Sequence, residues 1–239
     1  MLRSARLTVS AVSLVFAALA LSNPPSTFGG EAPDAAALKS LLALRDDFIG
    51  RIRANGASPS LPAPEIVQDN PPSLGNYDVA TNQLHTGNWR TLPPEMQEVF
   101  ERQAKAAGNG KTAEWMFEQA ALRWIFVHEL GHWWRACQHQ KTSFYDEEMG
   151  ANRIAAAYWR ERDPELMEFT LKKFQRYVDN IPSPVPADES REAYLNEHYE
   201  SLGGQRAYIW FQATMVLDVA AEKPVLTFQQ AIAQSGNRQ

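Results

Sequence analysis

Two histidines spaced one helical turn apart give this chain its clearest chemical motif. They are His128 and His132, in the run HELGH. Because an α-helix turns by about 100° per residue, positions four apart differ by about 40°, so both imidazoles can bind one metal ion. Glu129 lies about 100° round from His128, where its carboxylate can reach a water on the metal without binding the metal. The motif predicts a catalytic metal site; two ordinary buried histidines beside a salt-bridged glutamate are the alternative.

A third ligand is required, because a catalytic zinc normally takes three protein ligands and leaves the fourth position to water. The run EMGAN, from Glu148 to Asn152, offers one downstream of the histidines. Glu148 is the predicted ligand, and Asn152, one turn later, is predicted to accept a hydrogen bond from the far ring nitrogen of a ligand histidine. Glu147 and Asp146 are rival ligands, but only Glu148 places Asn152 four residues later. A solvated acidic helix start is the alternative interpretation.

Other zinc-site classes do not fit the residues. The metzincin pattern would need glycine and histidine where Arg135 and Gln138 stand. Cys137 is the single cysteine, which excludes a disulfide scaffold and a cysteine-based zinc finger. Zinc ligation is therefore left to histidine and carboxylate, the ligand chemistry of a catalytic site.

The composition is that of an ordinary globular chain. Its 239 residues are 44% hydrophobic and 21% charged, and the formal net charge is −5. A single domain of this size is the expectation. Because no positive field is available, nucleic acid and anionic membrane surfaces are not predicted as partners.

The first 20 residues are typical of a secretory signal. Arg3 and Arg6 precede the apolar run 7–21, and Ala18-Leu19-Ala20 supplies small residues for cleavage. The run is shorter than the ~20 residues that span a bilayer, so no stable membrane insertion is expected after cleavage; an uncleaved anchor is the alternative. Cleavage would remove both arginines and change the net charge from −5 to −7. The predicted location is periplasmic or extracellular.

After a flexible leader at 21–33, residues 34–239 are predicted to form one α+β domain that is mainly α. A β-hairpin is expected at about 74–88, and residues 57–75 are either a linker or the approach to a small sheet. The helical C-terminal part covers about 163–239. Predicted helices run from Asp34 to about Arg53, Pro93-Pro94 to about Gly108, Thr112 to about Cys137, Asp146 to Arg162, Asp163-Pro164 to about Asp179, over about 189–202 and 205–222, and from Thr227.

With the motifs HExxH and ExxAN in place, the chain resembles the compact gluzincin zinc metallopeptidases, in an exported bacterial form. The resemblance covers about residues 74–160 and is specific only at the two motifs. It implies a zincin-like fold in which the strand before the active-site helix, here Gln83 to Gly87, is a sheet edge that holds extended peptide. The aminopeptidase element GxMEN is absent from the sequence, which counts against that branch.

The resemblance also implies a mechanism. Glu129 would act as general base on the water held by zinc, and a later tyrosine or histidine would stabilise the oxyanion. Tyr194, His198, Tyr199 and Tyr208 are candidates, of which His198 and Tyr208 are favoured. The predicted function is an exported zinc-dependent metallopeptidase, and the partner that the resemblance implies is a peptide or protein substrate. The competing hypothesis is a catalytically inactive, zinc-stabilised binding protein that uses the same fold.

Overall fold

A computed structural model describes residues 34–108, 110–139, 142–202 and 206–235. The predicted signal and leader lie outside the described residues. Within them the chain is mainly helical with a small three-stranded sheet, which confirms the mainly α, α+β prediction. No helix among these residues is both long and apolar enough to cross a membrane.

The helices follow the predicted order with boundary shifts of a few residues. Asp34, Thr112, Ser143, Asp163 and Thr227 each accept a backbone hydrogen bond at a helix start, the role that N-cap side chains play. The helices are α1 (Ala35–Ala54), α2 (Pro94–Ala107), α3 (Ala113–Phe117), α4 (Phe126–Cys137), α5 (Phe144–Arg162), α6 (Pro164–Asn180), α7 (Arg191–Leu202), α8 (Arg206–Ala221) and α9 (Phe228–Gln234).

The predicted long helix from Thr112 to Cys137 is helical throughout but not uniformly α. Between α3 and α4 the residues Glu118–Ile125 form a π-helical stretch. A π-helical segment changes the rotational phase of the residues that follow, and such segments are frequent at functional sites. The motif HELGH lies wholly within α4, so the phase of its own residues is α-helical.

The sheet corrects the predicted edge strand. It consists of β1 (Glu65–Gln68), β2 (Gly75–Asp78) and β3 (Gln83–Thr86), in the order β1-β3-β2. The hairpin β2–β3 is antiparallel, and β1 pairs parallel to the other side of β3. The prediction that Gln83 to Gly87 forms the sheet edge is therefore wrong, because β1 occupies that side. The edge beside the motif helix is β2, which packs against α4.

Helices α4 and α5 pack closely because the residues at their crossing are small. A Cβ placed on Gly131 would lie 3.0 Å from the Cα of Ala151. Trp133 and Trp134, which follow His132, are buried in the core at 0% and 3% exposure. Helices α8 and α9 pack on α5, and α7 packs on both α5 and α8. The two motifs are thus held at the centre of the domain.

Candidate metal centre

The two motif histidines face each other across one turn of α4. His128 and His132 bring their Nε2 atoms within 3.0 Å of each other. Together with the Glu129 carboxylate they form a group whose ligand atoms all lie within 4.8 Å. Two ring nitrogens that point at one another at this distance are suited to a shared cation or a shared proton.

Glu148 approaches both ring nitrogens from α5. Its Oε2 atom lies 3.2 Å from His128 Nε2 and 3.6 Å from His132 Nε2. Zinc–ligand bonds of about 2.0–2.1 Å at a tetrahedral angle separate neighbouring ligand atoms by roughly 3.3 Å. The three donor atoms therefore have both the spacing and the chemistry of a three-ligand zinc site, and the group fits.

The far nitrogen of His132 is held by a carboxylate other than the proposed ligand. Glu147 Oε1 lies 3.0 Å from His132 Nδ1, and its Oε2 accepts a hydrogen bond from Arg135 Nε at 2.9 Å. Thr142 also donates to Glu147, at 3.1 Å. Gly150 makes room for this network, since a Cβ there would collide with the Arg135 guanidinium. Glu147, the rival ligand in the sequence, thus lies on the Nδ1 side of the His132 ring, away from Glu148. There it would fix the orientation of the ring.

The proposed ligand Glu148 receives hydrogen bonds from α7 and α8. Tyr199 donates its hydroxyl to Oε1, and Gln212 Nε2 donates to Oε2 at 2.8 Å. The same Gln212 amide donates to the Tyr208 hydroxyl at 2.6 Å. All three side chains are buried or nearly so. These contacts orient the carboxylate and compensate for its removal from water.

Asn152 does not make the predicted contact with a ligand histidine. Its Nδ2 donates to Gln212 Oε1 at 3.0 Å, while its Oδ1 and the Nδ1 of His128 are both buried without a hydrogen-bond partner among the described residues. The Asn152 amide is instead oriented by the hydrogen bond that its Nδ2 donates to Gln212 on α8. Asn152 therefore supports Glu148 through Gln212.

Of the two favoured oxyanion candidates, the structure brings Tyr208 to the site but not His198. The His198 ring packs against Tyr194, with centroids 4.4 Å apart, and no described hydrogen bond joins it to the ligands. Tyr199, one residue on, points inward. Its burial follows a helical spacing in α7 with Leu195 and Leu202, a signal that the sequence contained. Gln212 is not among the predicted site residues. Its signal in the sequence is the spacing of four residues from Tyr208, which places both on one face of α8.

Glu129 is bound by the neighbouring edge strand. Its Oε2 accepts a hydrogen bond from the Tyr77 backbone N–H of β2 at 2.9 Å, and its Oε1 has no partner among the described residues. Gly75 permits this approach, because a Cβ there would meet the Ile125 side chain. Burial raises the pKa of Glu129, although the charges of both histidines act against that rise. A carboxylate with a raised pKa and one open oxygen is suited to accept a proton.

The pKa values of Glu148 and His132 shift in opposite directions. Burial opposes the charged form of Glu148, but the charge of His132 and the hydrogen bonds from both imidazoles outweigh it and hold the Glu148 pKa well below its usual range. The same pairing overcomes the effect of burial on His132 and raises its pKa well above its usual range. The pair is therefore ionised when no metal is bound, and a cation would replace the imidazolium proton.

The centre is largely closed to solvent. His128, Glu129 and Glu148 are exposed by 3%, 1% and 1%, and the His132 side chain by 14%. His132 is therefore the member of the group that solvent reaches most easily. Comparison of the chain with protein-family models, with curated proteins and with solved structures finds no match.

Proposed function

We propose that the protein is an exported, zinc-dependent metallopeptidase with a zincin-like fold. The observation that carries the proposal is the convergence of His128 Nε2, His132 Nε2 and Glu148 Oε2, with separations of 3.0, 3.2 and 3.6 Å. This is the three-ligand histidine–carboxylate set of catalytic zinc sites. The export part of the proposal rests on the signal-like residues 1–20.

Bound zinc would supply a Lewis acid for the scissile carbonyl and for the attacking water. Glu129 would take the proton of that water and return it to the leaving amine. Its carboxylate is held by Tyr77 through one oxygen, so the other oxygen keeps a fixed direction for the proton transfer. Burial raises the pKa of Glu129, which makes its carboxylate a stronger proton acceptor than an exposed one.

The substrate would lie along the outer edge of β2. Tyr77 belongs to this strand, and its N–H points away from β3 toward Glu129. A peptide added to that edge would run beside Glu129 in an extended conformation. Tyr208 is the candidate for the oxyanion donor, because the single hydroxyl proton of Tyr199 is already donated to Glu148. The pKa values of both hydroxyls are raised well above their usual range by burial and by the charge of Glu148, so both remain protonated donors.

The burial of the centre favours a second candidate function. If the zinc site only stabilises the fold, the Tyr77–Glu129 hydrogen bond is a structural contact and β2 is a docking edge for a protein partner. In that case the closed site has no need to open. The closed environment of Glu129, at 1% exposure, is the observation on which this alternative depends.

Zinc content and hydrolysis of a broad peptide library by the mature protein separate the two functions. Glu129→Gln keeps the side-chain shape but removes the proton acceptor. We expect the wild type to bind one zinc and cleave peptides, and the variant to keep zinc while losing activity by about 10²-fold or more. Tyr77→Phe is the control, since it keeps the backbone N–H. Bound zinc with no hydrolysis by the wild type would support the binding protein.

A further inference from the structure

A second ligand-sized groove lies away from the metal centre, between α6 and the α2–α3 region. Its volume is about 570 Å³, within the ~300–1,000 Å³ typical of small-molecule sites. It follows α6 from Glu165 to Ile181, a path of roughly 24 Å at the α-helical rise. The lining residues that carry the argument are Ala106, Met116, Phe169, Lys173, Arg176 and Tyr177.

The floor of the groove is apolar and rigid. Phe169 packs edge-on against Trp115 with ring centroids 5.1 Å apart, and Met116 is buried in the core below. The Tyr177 hydroxyl donates to the backbone carbonyl of Arg206 at 3.2 Å, which fixes its ring. Such a surface suits a hydrocarbon body.

The groove also contains a cation that lacks an anionic partner. Lys173 reaches toward α2, with its ammonium 6.0 Å from the Phe100 ring centroid. No carboxylate among the described residues pairs with it, and burial lowers its pKa to about 8. Lys172, its neighbour, is paired with Glu168 instead. The unpaired Lys173 remains mostly charged at neutral pH, so its desolvation is uncompensated in the free protein.

Arg176 extends this positive charge. It lies three residues after Lys173 on α6, hence on the same side of the helix, and forms no ion pair with the described residues. Two glutamates, Glu165 and Glu168, also line the groove, and Glu168 is paired with Lys172. The lining therefore carries three cations and two carboxylates, a net charge of +1 beside the apolar floor. The complementary ligand has one anionic group and an apolar body.

We propose that this groove binds a small amphiphilic carboxylate, such as a medium- or long-chain fatty acid, with its head group on Lys173 and Arg176 and its chain along Phe169. A carboxylate would give the partly buried Lys173 ammonium a charge-assisted partner. The apolar chain would cover surface that the protein otherwise exposes to water. This site is independent of the zinc centre and of peptide hydrolysis.

Calorimetric titration of the protein without its predicted signal, residues 21–239, with decanoate tests the proposal. We expect one decanoate per chain, and at least ~10-fold weaker binding by Lys173→Met, since a charged hydrogen bond is lost. Lys39→Met, at an exposed position on α1, is the matched control and should bind as the wild type does. Decanol, which keeps the chain and lacks the charge, should bind at least ~10-fold more weakly than decanoate.

A second variant guards against a folding defect at position 173. Ala106→Trp fills the groove from an exposed position of α2 and should abolish decanoate binding with an unchanged circular dichroism spectrum. The proposal is overturned if the wild type does not bind decanoate, or if decanol binds equally well and Lys173→Met has no effect. It is also overturned if the protein sediments as a dimer that Ala106→Trp dissociates, because the groove would then be covered by a second copy.

Discussion

The helix pair α4–α5 and the helices α7–α8 meet at Glu148, and their contributions to the centre differ in kind. The pair supplies every proposed ligand, from positions that are 4 and 16–20 residues apart along the chain. Helices α7 and α8 supply only partners of the ligand, Tyr199 and Gln212, which lie 51 and 64 residues from Glu148. In the proposed site, the first region would supply the groups that bind the ion, and the second would hold one of those groups in place.

This difference has a physical origin. Ligand atoms must be placed within tenths of an ångström, which two closely packed helices achieve through a fixed crossing at Gly131 and Ala151. Hydrogen-bond partners of a carboxylate tolerate more variation, because several donors can satisfy the same two oxygens. Substitutions in α4–α5 should therefore change zinc affinity and stability more than substitutions in α7–α8 do.

The largest effect is expected for Glu148→Ala. Zinc affinity, measured by competition with a chelating dye, should fall by more than the ~10–100-fold that loss of an outer partner costs, because a direct ligand is removed. Asp146→Ala, at a rival position on the same helix, should leave the affinity close to that of the wild type. A larger loss for Asp146→Ala than for Glu148→Ala would overturn the ligand assignment.

The next effect concerns the helix crossing. Gly131→Ala should lower the free energy of unfolding by about 1–3 kcal/mol, because the added Cβ has no room beside Ala151 and the helices must separate. Gly50→Ala on α1 is the matched control, since its Cβ would meet nothing within 4 Å. It should stabilise the protein by roughly 0.5–1 kcal/mol through helix propensity. Urea denaturation of both variants gives the comparison, and equal changes would mean that the crossing is not tightly packed.

The residues of the candidate metal site were predictable because helical periodicity converts spacing into geometry. His128 and His132 need only an intact turn of helix, and the ExxAN spacing places Glu148 on the inner face of the next helix. The order of the sheet was less accessible. The parallel partner β1 lies in the proline-rich stretch 57–75. A strand of only four residues has no periodic signal strong enough to distinguish it from a linker.

The outer partners were only partly predictable, for a related reason. Rotation of α7 about its axis decides whether His198 or Tyr199 points inward, and neighbouring residues differ by about 100°. The hydrophobic stripe Leu195, Tyr199 and Leu202 indicates that Tyr199 points inward. Residue type alone favours His198, because histidine is the more common catalytic group. The hydrogen bond that Asn152 donates to Gln212 depends on the position of α8 relative to α5, a long-range contact that no local pattern encodes.

A smaller loss of zinc affinity, about 10–100-fold, is expected when the support of His132 is removed. Glu147→Ala leaves the Nδ1 atom of His132 without its acceptor and Arg135 without its carboxylate. Glu147→Gln is the control, because its amide oxygen can still accept from the ring, and it should recover most of the affinity. If Glu147→Gln is as weak as Glu147→Ala, charge compensation of Arg135 matters more than orientation of the imidazole.

The smallest effect is expected in α7. Tyr199→Phe removes one of two donors to Glu148 and leaves Gln212 in place, so zinc affinity should fall by about 10-fold, the lower end for an outer partner. Because burial and the charge of Glu148 keep the pKa of Tyr199 well above its usual range, the hydroxyl stays protonated and the ratio of wild type to variant should be constant from about pH 6 to 9. Tyr194→Phe, on the same helix with its ring against His198, should change nothing. Equal losses for the two variants would show that α7 acts through packing alone, and a loss for Tyr199→Phe as large as that for Glu148→Ala would abolish the distinction between the helix pair and the helices behind it.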